Sequence, residues 1–266
     1  MIDVITFRGT GEPRRPDGVP THMVGAVTAL LDESRFSCFE PDWPALIGPL
    51  GPGGTPDAAS LNTSVKRGVA TGVKAIRDSP NVCGIISYSL GGIVASRILE
   101  GVRTGKFKNA DGSPLEIAFV VNLANPLRRR GQSVGNLCPP DTFGLHGERG
   151  DWPDLDVSEY ANPLDIITSS PGDSPLRLIN DGVAPFSFVE GARIGNLGPQ
   201  IHLQLALLLA QDPLQNLARF QRAFEGVVGY LTPWPDGEHT RYSGRPMPGT
   251  NLKWTEHAAR HVNETF

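Results

Sequence analysis

Residues 82–101 read VCGIISYSLGGIVASRILEG. The apolar block Val82–Ile86 predicts a buried strand. The small-residue turn Ser87-Tyr88-Ser89-Leu90-Gly91 follows it, and then an amphipathic segment predicts a helix closed by Gly101. A nucleophile elbow has this order. A strand delivers the serine, small flanks allow a turn sharp enough to expose its hydroxyl, and the helix N-terminus stabilises negative charge. Ser87 and Gly91 are the flanks, with Ser87 where the usual G-x-S-x-G pattern has its first glycine. The competing reading of Ser89 is a serine in a structural turn.

Outward from this stretch, strand and helix signals alternate. Ile2–Phe7 predicts a first strand ending at a glycine turn, and residues 22–32 (HMVGAVTALLD) predict a helix. Asn62–Asp78 carries Val65, Val69, Val73 and Ile76 at helical spacing, with Asn62 or Thr63 available as cap. Residues 115–126 (LEIAFVVNLANP) predict a strand ending near Asn122, and residues 156–161 (DVSEYA) a short one. The proline- and glycine-rich residues 41–57 read as a surface excursion. This alternation predicts a mainly parallel sheet with helices on both faces. The pattern changes after Pro171, and residues at about 180–231 read as an inserted helical lobe rather than a second domain. The expected organisation is one domain over residues 1–266.

A chain of 266 residues can bury a large core, and 39% hydrophobic with 20% charged residues describes a globular protein. A net charge of −4 gives no general reason to expect nucleic-acid binding. The cysteines Cys38, Cys83 and Cys138 are odd in number and far apart, so no disulfide framework or zinc-finger spacing is present; Cys83 reads as a small core residue. No metal or cofactor site is expected. Asp3 stands where an export leader would carry basic residues, and the longest apolar run, Leu203–Ala210, is too short to span a bilayer. The expectation is a chain made without an export signal and not inserted in a membrane.

A serine nucleophile of this kind needs a later acid and then a later histidine. His22 is too early, His146 precedes most acid candidates, and His202 falls in the helical lobe. His239 stands in the loop PDGEHTRY, whereas His257 and His261 are spaced i, i+4 and read as a solvated terminal helix. Asp165 is the acid candidate, with an N-cap as its structural alternative, and Asp154, Asp156 and Asp173 are rivals. The oxyanion donors would be the Leu90 amide and Thr10, in the glycine turn Arg8–Glu12.

Five stretches in order, ITFRGTGEP (5–13), YSLGG (88–92), NLANPLRRRG (122–131), YANPLD (160–165) and GEHTRY (237–242), resemble mycobacteriophage lysin B, a cutinase-like serine esterase family. The resemblance spans nearly the whole chain. It implies a cutinase-like α/β-hydrolase fold with a helical insertion between acid and histidine. It also implies hydrolysis of the ester joining mycolic acids to arabinogalactan, aiding phage-mediated lysis. By motif, Ser89, Asp165 and His239 would be the triad, and Thr10 and Leu90 the oxyanion hole. No cofactor is implied. The partner would be mycolyl-arabinogalactan, met by a monomer released from the host cytoplasm onto the envelope. The alternatives are a general cutinase- or lipase-like carboxylesterase and a non-catalytic wall- or lipid-binding module.

Overall fold

The computed structural model describes residues 1–48, 53–55, 57–174, 177 and 237–266. The expected helical lobe at 180–231 and His202 lie outside the described residues. Among the described residues, five parallel strands form the central sheet: β1 (Ile2–Phe7), β2 (Phe36–Phe39), β3 (Cys83–Tyr88), β4 (Ile117–Leu123) and β6 (Val157–Tyr160). Their order across the sheet is β2-β1-β3-β4-β6. A small antiparallel pair, β5 (Thr142–Phe143) with β7 (Ser170–Pro171), stands apart from it.

All six residues of β3 are buried, because the sheet is covered on both faces. On one face α1 (His22–Thr28) and α4 (Trp254–Thr265) close a core that includes Val24, Val27, Phe119, Tyr242, Trp254 and Val262. On the other, α2 (Leu61–Asp78) and α3 (Leu90–Arg103) cover Ile5, Phe7, Ile85 and Val120. The expected mainly parallel sheet with helices on both faces is therefore present.

Local expectations are corrected at five places. The cap of α2 is Ser60, whose extended backbone lets its Oγ accept the Thr63 amide at 3.2 Å; Asn62 and Thr63 already lie in the first turn. Gly101 does not end α3. The helix runs on to Arg103, Gly105 takes the positive φ of 72° behind it, and Phe107 folds back onto Gly101. The elbow strand extends to Tyr88 rather than Ile86. Residues 41–48 are no surface excursion throughout. Trp43 and Ala45 are buried, and the Trp43 carbonyl accepts a 2.5 Å bond from Arg8. Nor is the terminal helix solvated: Trp254, Ala258, Ala259 and Val262 face the core, and His257 Nδ1 lies 3.0 Å from the Tyr160 hydroxyl.

Candidate active site

The site lies where β3, β4 and β6 end. Ser89 follows β3 directly and takes φ 52°, ψ −118°, a conformation that costs an L-residue roughly 1–3 kcal/mol. Its amide donates to Leu123 O at 3.0 Å, which fixes the turn against β4. A serine at a helix N-cap ordinarily turns its oxygen back to the N2 or N3 amide. Ser89 makes no such bond. Its Oγ lies 2.8 Å from His239 Nε2 instead. The structural-turn reading gives the side chain no reason to point there.

His239 stands on a short 3-10 turn, Glu238–Thr240, and its Nδ1 is 2.9 Å from Asp165 Oδ2. With the imidazole neutral and its proton on Nδ1, the ring donates to Asp165 and accepts from Ser89. Asp165 also serves its own loop, since its Oδ1 accepts the Ile167 amide at 3.1 Å. The rivals stand elsewhere: Asp154 reaches Arg103, Asp156 lies 3.7 Å from His261, and Asp173 is exposed.

Two tyrosines hold this chain of bonds. Tyr242, fully buried, donates to Asp165 Oδ2 at 3.0 Å and accepts the Asn162 amide at 2.9 Å. Burial, and then the Asp165 charge, push its phenol well above the usual range, so it remains a donor. Tyr88 donates to the His239 carbonyl at 2.9 Å and stacks on the imidazole, with ring centroids 5.3 Å apart. Glu238 adds a brace, accepting from Asn162 Nδ2 at 2.8 Å and pairing with Arg245 at 2.7 Å.

Ser87 explains itself here. In register, Ser87 sits beside Asn122 and Asn122 beside Glu159. Ser87 Oγ donates to Asn122 Oδ1 at 2.6 Å, and Asn122 Nδ2 donates to Glu159 Oε1 at 3.1 Å. Arg149 Nε completes the charge balance at 2.7 Å from the same oxygen. The side chain that replaces the elbow glycine is thus absorbed into a polar row across three strands and leaves the turn its room. The other flank has none to spare. A Cβ on Gly91 would lie 2.1 Å from the Phe7 carbonyl oxygen. Gly91→Ala is expected to cost ~3 kcal/mol, read as a fall in Tm.

Thr10 stands half-buried in the turn after β1. The neighbouring amides are committed, Gly9 to Glu12 Oε2 at 2.7 Å and Gly11 to Ala45 O at 2.8 Å. The Thr10 amide has no acceptor among the described residues. Buried Arg8 locks this turn, bonding Glu12 O at 2.7 Å and Glu40 Oε1 at 2.6 Å. The Leu90 amide opens α3, where the first N–H groups lack intrahelical partners. Among the described residues neither amide is spent on an acceptor.

The cysteines offer no rival nucleophile. Burial pushes Cys38 up to about 11 and raises Cys83 and Cys138 as well, so all three stay protonated at neutral pH. Arg8, Tyr88, Asn122, Arg149, Glu159 and Tyr242 were not singled out from sequence. Only the spacing of Tyr242 from His239, within GEHTRY, carried a local hint.

No family model matches the chain, and no curated protein matches it. Among solved structures, lysin B from mycobacteriophage D29 superposes with a TM-score of 0.57 at 20% identity, covering 98% of each chain. A cutinase-like protein from Cryptococcus sp. matches at TM-score 0.43 and 16% identity, over 72% of this chain and 96% of its own. An acetyl xylan esterase matches at 0.43 and 15%, over 70% and 94%. The full-length likeness to lysin B shows the α/β-hydrolase fold expected from the sequence.

Proposed function

We propose that the chain is a serine esterase and that its substrate is the ester between mycolic acid and arabinogalactan. The observation that carries the esterase reading is the bonded chain Ser89–His239–Asp165, with the Ser89 hydroxyl turned from its own helix toward a base. The substrate rests on the sequence resemblance to lysin B and on the shared fold. In this reading a monomer made in the host cytoplasm acts on the envelope after release.

The reaction runs through an acyl-enzyme. Ser89 Oγ attacks the ester carbonyl carbon while His239 Nε2 takes its proton. Asp165 holds the ring and stabilises the imidazolium. Thr10 and Leu90 donate to the oxyanion. The tetrahedral intermediate collapses, the C–O bond to the sugar breaks, and His239 returns the proton to the departing hydroxyl. Water then attacks the acyl carbon, His239 takes its proton, and Ser89 leaves reprotonated with the free acid released. No cofactor enters these steps.

Tyr242→Phe is expected to lower kcat about ten-fold with KM unchanged, since it removes a hydrogen bond to a charged group. A loss of stability with kcat intact would make Tyr242 structural only.

The function is tested by release of free mycolic acid from purified mycolyl-arabinogalactan-peptidoglycan, by wild type and by Ser89→Ala. Release by wild type alone supports the proposal. Release by both removes Ser89 as nucleophile. If wild type cleaves a soluble ester but leaves the wall intact, the chain is a general esterase. If it cleaves neither and still binds the wall, it is a binding module.

A further inference from the structure

The chemistry leaves the outer face of α2 and α3 unused. Residues 61–108 carry eight lysines and arginines against two acids, in a chain whose net charge is −4. All eight basic side chains are exposed. Lys74 pairs with Asp78 and Arg103 reaches Asp154 at 3.8 Å. Lys66, Arg67, Arg97, Lys106 and Lys108 make no ion pair among the described residues.

An open groove of about 590 Å³ lies along this face. Val65, Val69 and Phe107 give it an apolar floor, and Lys66, Arg97 and Lys106 stand on its rim, with Glu100 the acid among them. Cations above an apolar floor match an amphiphile, with an anionic head at the rim and hydrocarbon below.

We infer that this face docks the protein on the surface of an anionic phospholipid bilayer, its cations on headgroup phosphates and its groove over the acyl-chain boundary. A nucleic acid would satisfy the cations but leave the apolar floor in water. The remainder of the chain carries a net negative charge, so an anionic surface favours this face over the rest of the molecule. The docking is peripheral, since no helix among the described residues is long and apolar enough to cross a membrane. Arg97 lies roughly 12 Å along α3 from Ser89, so the docked face adjoins the candidate site without covering it.

The test is flotation of the full chain, as Ser89→Ala so that no lipid ester is consumed, with vesicles of phosphatidylglycerol and phosphatidylcholine or of phosphatidylcholine alone. Because hydrolysis is not read, the result is independent of the proposed chemistry. Binding to the anionic vesicles alone is expected, falling steeply as salt is raised. The triple change Lys66→Gln, Arg97→Gln, Lys106→Gln is expected to weaken it about a hundred-fold, with circular dichroism unchanged. If the triple variant unfolds, Lys66→Gln with Lys106→Gln replaces it, and about a thirty-fold loss is expected. Equal binding to both vesicle types, no binding at low salt, or full binding by the folded variant would overturn the inference. So would capture of duplex DNA without capture of anionic vesicles.

Discussion

Ser89→Ala is expected to lower ester turnover roughly 10⁵-fold while the protein stays folded, the largest single effect expected. The substitution removes the oxygen that bonds carbon in the proposed mechanism and leaves the backbone of the turn untouched. What survives is the contribution of oxyanion donors and substrate binding, which act without the nucleophile. The strained backbone adds a second, separable readout. Ser89 is held at φ 52°, ψ −118° by the hydrogen bond its amide donates to the Leu123 carbonyl and by the crowding of Gly91 against Phe7. Ser89→Gly relieves that strain and is expected to raise stability by about 1 kcal/mol, or a few degrees in Tm, while turnover collapses equally. Loss of activity with a gain in stability marks a position shaped for chemistry. A Ser89→Ala protein retaining more than about one per cent of wild-type turnover would remove the serine from the mechanism.

Arg149→Met is expected to destabilise the fold by ~3–5 kcal/mol, lowering Tm by about 10 °C. Arg149 and Glu159 are each only 2% exposed at the side chain. Glu159 Oε1 accepts from Arg149, from Asn122 at 3.1 Å and from Asn125 at 3.2 Å. Without the guanidinium, a carboxylate is left buried beneath the elbow with only neutral partners. The cost comes mainly from that orphaned charge, not from the worth of the pair. The double variant Arg149→Met, Glu159→Leu is accordingly expected to recover most of the loss, and differential scanning calorimetry of the four proteins gives the coupling. Turnover should fall in Arg149→Met, because Asn122 also receives the Ser87 hydroxyl at the elbow. A Tm within about 3 °C of wild type would show that Glu159 takes up a proton, water or a new cationic partner in place of Arg149.

The scaffold on which the candidate site stands is legible in the sequence alone. Residues 82–101 announced a strand, a turn and a helix through signals only a few positions apart: an apolar run, small flanks, helical spacing. Those interactions are local, so they survive in the one-dimensional record. β1 and β4 were legible for the same reason, since strands covered on both faces are dominated by apolar residues. β2 was missed because an edge strand of four residues, FSCF, has too few buried positions to make a pattern. The Ser60 cap and the buried Trp43 were misread where nearby alternatives or proline-rich composition spoke louder than the contact that won.

Which acid meets which base emerges only in three dimensions. His239 is 150 residues from Ser89 and 74 from Asp165, and nothing in the spacing of Asp154, Asp156, Asp165 and Asp173 ranks them. Folding does, because β6 ends beside β4 and its following loop delivers Asp165 to within 2.9 Å of the imidazole. The same holds for Ser87. In sequence it departs from a motif, and in the sheet it is one member of a polar row whose other members come from β4, β6 and a distant loop. A hydrogen bond is specified by three-dimensional distance and angle, and the chain records only which groups are available to make one.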